Sequence, residues 1–286
     1  MKIGDIVVRK SYGEDITFKI INIIHSKNTT ICTLKGMNLR IIADSPEEDL
    51  KIVPQDSLTK YERLFNRKVN SSIKNILMTR DNVNKSFRMS RESDKKDLAF
   101  GRPGRILHVD GDPDYLDVCL KVYKQLMLEV VGQTVKEEEQ AKVVLDLVKK
   151  FRPDIVVITG HDSITKGTTD YMNINNYKNS KFFVETVTQL RNYEANYDDL
   201  VIFAGACQSC YEAILDAGAN FASSPSRVLI HCLDPVFLCE KIAYTNISKV
   251  VSIQEALENT ITGTKGIGGL QTRGKYREGF PKSSYV

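Results

Sequence analysis

Asp154-Ile-Val-Val-Ile-Thr-Gly160-His161-Asp162 and Asp199-Leu-Val-Ile-Phe-Ala-Gly205-Ala206-Cys207-Gln208-Ser209 are two stretches of this sequence that end in the same way. Each is a short β-branched and apolar run that follows an aspartate and stops at a glycine, which is typical of a buried parallel strand. If the two strands are neighbours, their axes lie about 4.8 Å apart and both loops leave the carboxyl edge of the sheet. The pattern therefore predicts that the imidazole of His161 and the thiol of Cys207 face one another.

The surrounding sequence predicts an α/β domain over residues 104–286. Strand-like and helix-like segments alternate from Gly104 onward, which is the signature of a doubly wound, mostly parallel sheet. The further strands are expected over 105–109, 128–131 and 227–230, and the helices over 113–125, 137–151, 181–193, 211–217 and 235–244. The glycine-rich C-terminal segment, residues 263–275, is expected to be mobile because glycine restricts the backbone least.

The first 103 residues have a different pattern. Residues 1–55 contain five short alternating segments separated by turn signals, which predicts a small SH3-like β-barrel. Residues 56–103 are polar and basic, with helix-like patches only at 61–65 and 73–77, and are expected to form a linker with short helices. The barrel has few aromatic residues, so a docking role and a role in binding RNA or peptide remain equally open.

Composition excludes several classes of protein. Forty Lys and Arg against 36 Asp and Glu give a net charge of only +4, so a nucleic-acid partner is not expected. No apolar run approaches the roughly 18 residues of a membrane span, and the first residues lack the apolar core of a signal peptide. Six dispersed cysteines without an export signal predict free thiols. We therefore expect a protein that is made and kept inside a cell.

The ends of the two quoted strands carry the candidate chemistry. Cys207 is predicted to lie in a turn before a helix, where exposed N–H groups favour a thiolate and lower the pKa of the thiol. His161 supplies an imidazole that holds or delivers a proton near neutral pH. The backbone N–H groups of Cys207 and Asp162 are candidate oxyanion donors. The residues thus predict a Cys/His hydrolase that needs no cofactor.

Three other interpretations of these residues remain open. Cys207-Gln-Ser-Cys210 has the spacing of a redox or zinc pair, but a zinc site needs two further ligands and no second tight pair exists, so no metal site is predicted. Asp110, Asp112 and Asp114 follow the first strand, as in receiver-type signalling domains, but a receiver needs an aspartate where this chain has His161. A non-catalytic scaffold with a structural cysteine is the third alternative.

Two resemblances add to this interpretation. The strand endings resemble those of the caspase-like cysteine peptidase clan, in which one strand ends in His-Gly and a second in Ala-Cys or Gly-Cys, although Asp162 stands here in place of the glycine. The segments 1–9, 104–113, 157–162 and 203–210 are together similar to the YabG family of sporulation-specific peptidases. This resemblance implies a cysteine peptidase of the developing spore that processes coat and cortex-associated proteins by cleaving after arginine or lysine.

Cleavage after basic residues would require a carboxylate in the specificity pocket, because a buried guanidinium needs a charged partner. Asp112 and Asp170 are the candidate substrate-binding residues, with Asp114, Asp162 and Asp234 left open. Linker arginines at 80, 88, 91, 102 and 105 would then be substrates of the enzyme itself, so self-cleavage between about residues 80 and 105 is expected.

Overall fold

The computed structural model describes residues 1–26, 29–54, 60–89 and 99–283. It confirms the mixed α/β class: a mostly parallel six-stranded sheet lies beside a separate five-stranded antiparallel sheet. In the described residues, no helix is long and apolar enough to cross a membrane.

The antiparallel sheet, called the N-terminal sheet below, has the strand order β4-β3-β2-β1-β5. Alternating residues of its strands, among them Val7, Phe18 and Leu34, bury a small apolar core of their own. The fourth strand begins only at Ile42, because Arg40 leaves the sheet to form a buried ion pair with Asp110. The strands are β1 (Ile6–Arg9), β2 (Thr17–His25), β3 (Thr30–Gly36), β4 (Ile42–Pro46) and β5 (Leu50–Ile52).

A helix, α1 (Lys60–Met89), occupies much of the segment that was predicted to be a linker with short helices. Its apolar stripe consists of Phe65, Val69, Ile73 and Ile76, which pack on the core beneath the main sheet. This stripe is narrow within a polar sequence, so only two short patches of it stand out in the sequence. Arg80 is not an exposed linker residue, because its guanidinium donates to the Glu240 carboxylate at 2.8 Å and 2.6 Å.

The main sheet has the order β8-β7-β9-β10-β11-β13, in which the first five strands are parallel and β13 is antiparallel. Numbered along the chain, the parallel strands run 2-1-3-4-5, so the topological switch point lies between β7 and β9. The remaining strands are β6 (Phe100–Arg102), β7 (Ile106–Asp110), β8 (Val130–Thr134), β9 (Ile155–Thr159), β10 (Val201–Ala204), β11 (Phe221–Ala222), β12 (Val250–Val251), β13 (Gly268–Gly269), β14 (Thr272–Arg273) and β15 (Arg277–Gly279).

Helices cover both faces of this sheet and bury two apolar cores. One core lies beneath α1, α2 and α6, and the other lies beneath α3, α4 and α5. The helices are α2 (Pro113–Gln125), α3 (Glu137–Phe151), α4 (Ser180–Tyr193), α5 (Tyr211–Asp216), α6 (Asp234–Tyr244) and α7 (Ile253–Leu257). With both faces covered, the chemistry is left to the carboxyl edge of the strands.

Two predicted elements of this domain are wrong. Residues 227–230 form no strand; instead the N–H of Ile230 donates to the sulfur of Cys207, and His231 forms an isolated bridge with Leu39. The glycine-rich segment is ordered, because β13 pairs with β11 and β14 pairs with β12. Gly269 lies so close to the backbone of β11 that a Cβ would be 2.2 Å from the carbonyl oxygen of Asn220.

Candidate active site

Three neighbouring strands deliver Asp112, His161 and Cys207 to equivalent positions at one edge. Asp110 at the end of β7 pairs with Thr159 at the end of β9, and Ile158 pairs with Ala204 of β10. On each of the three segments, the candidate residue lies two positions beyond the row that contains Asp110 and Thr159. These candidates are Asp112, His161 and Cys207. The predicted adjacency of the histidine and cysteine strands is therefore confirmed, and His161 follows the strand between the other two.

The imidazole of His161 is held by a carboxylate on one side. Its Nε2 lies 2.8 Å from Oδ2 of Asp112, while its buried Nδ1 has no hydrogen-bond partner among the described residues. Burial acts to raise the pKa of Asp112, but hydrogen bonds from His161 and Lys35 outweigh it and lower the pKa to about 2. An ionised Asp112 therefore favours a proton on Nε2 and leaves Nδ1 available as a base.

The backbone of His161 is fixed by Glu137 at the start of α3. Oε1 of Glu137 accepts the His161 N–H at 2.6 Å. The same oxygen lies between two glycines that end β7 and β9, and a Cβ at Gly111 or Gly160 would lie 2.3 Å or 2.2 Å from it. Only glycine leaves room for this carboxylate at either position.

The thiol of Cys207 is buried, with only 1% of the residue exposed. Its sulfur accepts the N–H of Ile230 at 3.2 Å. Burial raises the pKa of the thiol to about 12, although the Ile230 N–H and the Arg40 charge and backbone act against it. The predicted fall in this pKa is wrong, because α5 begins only at Tyr211 and the site is shielded from solvent.

The side chain of Asp162, considered in the sequence only as an open candidate for the specificity pocket, joins the histidine loop to the cysteine loop. Its carboxylate accepts the hydroxyl of Ser180 at 2.5 Å and that of Ser209 at 2.9 Å. Ser209 Oγ in turn accepts the N–H of Ala206, and Ser180 Oγ accepts the N–H of Cys210. Burial raises the pKa of Asp162 despite these donors. The two loops are therefore held in a fixed relation.

The two predicted oxyanion donors are unoccupied. Neither the N–H of Asp162 nor that of Cys207 donates a hydrogen bond to any residue in the part of the chain that the structure describes. Both amides follow neighbouring strands at the same edge. Their assignment to an oxyanion stays a prediction.

An open cleft of about 510 Å³ adjoins the cysteine loop. Its lining includes Gln208, Glu212, Arg227 and Tyr171. The Arg227 guanidinium forms an ion pair with Glu212. Asp170 lies in the neighbouring exposed loop, where its carboxylate accepts the N–H of Met172 at 3.1 Å. A substrate-binding role for Asp170 or Asp112 stays a prediction.

The N-terminal sheet reaches the same edge, which the sequence did not indicate. Lys35 lies 2.6 Å from both Asp112 and Asp114, and Arg40 forms a fully buried ion pair with Asp110, its Nη2 lying 2.6 Å from Oδ2. Tyr115, at the start of α2, donates its hydroxyl hydrogen to carbonyl oxygens of the N-terminal sheet. Of these residues only the three aspartates had a signal in the sequence, as the acidic cluster at the end of β7, whereas Lys35, Arg40 and Tyr115 had none.

The thiols of the described residues are all free, including those of Cys207 and Cys210. No group of three or more His, Cys, Asp or Glu side chains within the described ranges is arranged to hold a metal ion. The sulfur of Cys119 donates to the carbonyl of Cys232, which places Cys232 in the core and not in a pair with Cys207.

Comparison with known proteins identifies the family. The family model described as YabG peptidase U57 matches residues 2–281. A curated relative, the sporulation-specific protease YabG of Bacillus subtilis (strain 168), is 42% identical over 288 residues, with 99% of each chain covered. A solved structure of a cobalamin-binding protein from Desulfitobacterium hafniense DCB-2 is 19% identical over 48% of this chain and 57% of its own, and its TM-score of 0.28 is too low to indicate a shared fold. The resemblance to the YabG family is confirmed, and the chain belongs to the YabG peptidase U57 family.

Proposed function

We propose that this member of a peptidase family is a cysteine endopeptidase in which Cys207 is the nucleophile and His161 the general acid and base. The observation that carries the proposal is the row of Asp112, His161 and Cys207 at the ends of three adjacent parallel strands. Within it, Nε2 of His161 binds Asp112 and the buried Nδ1 is without a partner among the described residues. Such an imidazole has the tautomer and the free nitrogen that a thiol nucleophile requires.

The proposed reaction follows from these atoms. Nδ1 of His161 takes the thiol proton as the sulfur attacks the scissile carbonyl, and the N–H groups of Cys207 and Asp162 stabilise the oxyanion. The imidazolium then protonates the leaving amine, which releases the first product and leaves an acyl-enzyme. Water, activated by the neutral imidazole, hydrolyses the thioester and restores the thiol.

The biological part of the proposal comes from the family. The name of the relative, a sporulation-specific protease, supports action in a sporulating cell. We further propose spore coat and cortex-associated proteins as substrates, the developing spore coat as the location, cleavage after arginine or lysine, and self-cleavage. A caspase-like arrangement of the main sheet and an SH3-like form of the N-terminal sheet belong to the same proposal.

Matched cysteine variants test the nucleophile. Cys207→Ala is expected to abolish cleavage of fluorogenic peptides, and His161→Ala is expected to be nearly as severe. Cys210→Ala is expected to keep most of the activity, because the hydrogen bond from Cys210 to Ser180 comes from the backbone N–H, which alanine retains. Equal losses in the two cysteine variants would favour a redox or metal pair and refute the proposal.

Mass spectrometry of aged protein tests self-cleavage. Wild-type protein is expected to form fragments that end at basic residues between about 80 and 105, and Cys207→Ala is expected to stay intact. Arg91 lies outside the described residues, and Arg80 is held in α1 by Glu240, so cleavage near Arg80 would also require local opening of the helix. The same fragments in Cys207→Ala would show that another protease made them.

A further inference from the structure

The turn between β3 and β4, residues 37–41, contacts residues 230–232, and this second segment also contacts the Cys207 sulfur. Asn38 accepts the N–H of Cys232 at 3.0 Å, and Leu39 forms an antiparallel bridge with His231. The preceding residue of that segment, Ile230, donates its N–H to the sulfur. The β3–β4 turn therefore adds an extended backbone beside the candidate nucleophile, as a peptide substrate would.

The side chain of Arg40 extends from this turn into the edge of the sheet. Its Nη1 donates to Oδ1 of Asp110 at 3.0 Å, and its Nη2 lies 2.6 Å from Oδ2, with both side chains fully buried. Its Nε is buried without a partner among the described residues. The charge and the backbone N–H of Arg40 both act to lower the pKa of the Cys207 thiol. One residue thus combines a backbone beside the sulfur with a guanidinium on a buried carboxylate.

The Asp110 carboxylate is fixed by its own domain, independently of Arg40. Oδ1 accepts the N–H of Asp112 at 2.9 Å, and Oδ2 accepts the hydroxyl of Thr159 at 2.8 Å. These donors keep both oxygens in place, while the guanidinium comes from a separate sheet. A rigid acceptor with a donor from a different sheet has the properties of a binding site for a basic side chain.

The other carboxylates considered for this role are occupied or exposed. The carboxylates of Asp162 and Asp234 already accept hydrogen bonds from donors in neighbouring loops. Asp112 binds His161, and Asp114 and Asp170 are exposed. Glu212 is the remaining rival, because it lines the open cleft and pairs with Arg227 of the same domain.

We propose that Asp110 is the specificity-determining carboxylate that receives the basic side chain of a substrate, and that Arg40 occupies this place as an internal substitute for substrate. The assignment rests on the proposed cysteine peptidase with preference for basic residues. It implies that the β3–β4 turn must leave the edge before a substrate can bind, because one carboxylate cannot pair with both guanidinium groups in the same place.

Two peptides that differ in one group test the assignment. They are identical except that arginine or citrulline precedes the scissile bond, since citrulline replaces the guanidinium by a neutral urea of similar shape. In Asp110→Asn, the ratio of kcat/KM for arginine over citrulline is expected to fall at least tenfold, with cleavage of the citrulline peptide retained. In the rival variant Glu212→Gln, the ratio is expected to stay within twofold of wild type.

The variant Arg40→Ala gives a second test, whose result does not depend on whether Asp110→Asn folds. In full-length protein, alkylation of Cys207 by iodoacetamide, followed by mass spectrometry, is expected to become at least tenfold faster, and KM for the arginine peptide is expected to fall. An unchanged alkylation rate and KM, or loss of the arginine preference in Glu212→Gln instead of Asp110→Asn, would overturn the assignment. If wild type cleaves neither peptide and Cys207 is not selectively alkylated, the proposed peptidase itself fails.

Discussion

The hydrogen bond between Asp112 and His161 gives the sharpest test of the candidate site. In Asp112→Asn, the side-chain oxygen can still accept the N–H of Asp114 at the start of α2, where the native distance is 3.0 Å. The amide NH₂ would then face Nε2 of His161, which must become an acceptor and carry its proton on Nδ1. That tautomer would put a proton on the nitrogen that the proposed mechanism uses as the base.

The size of the effect follows from the environment of the bond. The two atoms are 2.8 Å apart, and the Asp112 and His161 side chains are only 8% and 20% exposed. A charge-assisted hydrogen bond of this kind contributes about 1.5–3 kcal/mol. Since each 1.36 kcal/mol is a factor of ten in rate, kcat is expected to fall by about 10- to 160-fold. KM should change little, because Asp112 acts through the imidazole.

Steady-state kinetics with a fluorogenic peptide measures kcat and KM separately. Two control variants test whether the fall in kcat comes from the loss of the bond to the imidazole. Lys35→Gln removes the ion pair with Asp112 but leaves the imidazole bond, and Asp114→Asn removes the other carboxylate that contacts Lys35. Both are expected to keep kcat within about threefold of wild type, because they should change the activation free energy of the chemical step by less than about 0.7 kcal/mol. Wild-type kcat in Asp112→Asn, or an equal loss in Lys35→Gln, would refute the reasoning.

Two further predictions concern stability. Ser209→Ala leaves the Asp162 carboxylate with one donor fewer and a buried N–H unsatisfied, so the free energy of unfolding in urea should fall by about 1–3 kcal/mol; Ser163→Ala, which truncates an exposed hydroxyl, should match wild type. Burial lowers the pKa of His231 from 6.5 to about 4, so the unfolded state binds more protons between these values and stability should fall by about 3 kcal/mol as the pH drops from 6.5 to 4. Melting curves at several pH values should show a smaller acid loss in His231→Asn; an identical loss would assign it to other groups.

The sequence predicts the main sheet well because its signals are local. The bounds of α2 match the prediction, since Asp112 caps its first N–H groups and Pro113 occupies the first helical position. The bounds of α3 also match, because acidic residues stand in its first turn and lysines in its last. Two apolar runs that end at glycine were enough to place His161 and Cys207 on neighbouring strands.

The features of the site that the sequence did not predict depend on contacts between residues far apart in the chain. Asp112 was expected at the correct edge, but its partner depends on the packing of β7 beside β9 and on the rotamer of His161. The docking of Arg40 on Asp110 joins two sheets, and no periodicity within either one signals it. The error on the pKa of Cys207 has the same origin, since the helix terminus was visible in the sequence and the burial of the sulfur was not.

The carboxylate of Glu137 between Gly111 and Gly160 has a consequence for how this sequence can diverge. An alanine at either glycine would collide with Oε1, and a shorter or longer acid at 137 would release the N–H of His161. A change at any of the three positions is therefore expected to displace the carboxylate and to cost His161 its backbone hydrogen bond. We expect these three residues to be conserved together. Homologues that keep the histidine should also keep two glycines separated by 49 positions and a glutamate between them, even where their other loops differ in sequence.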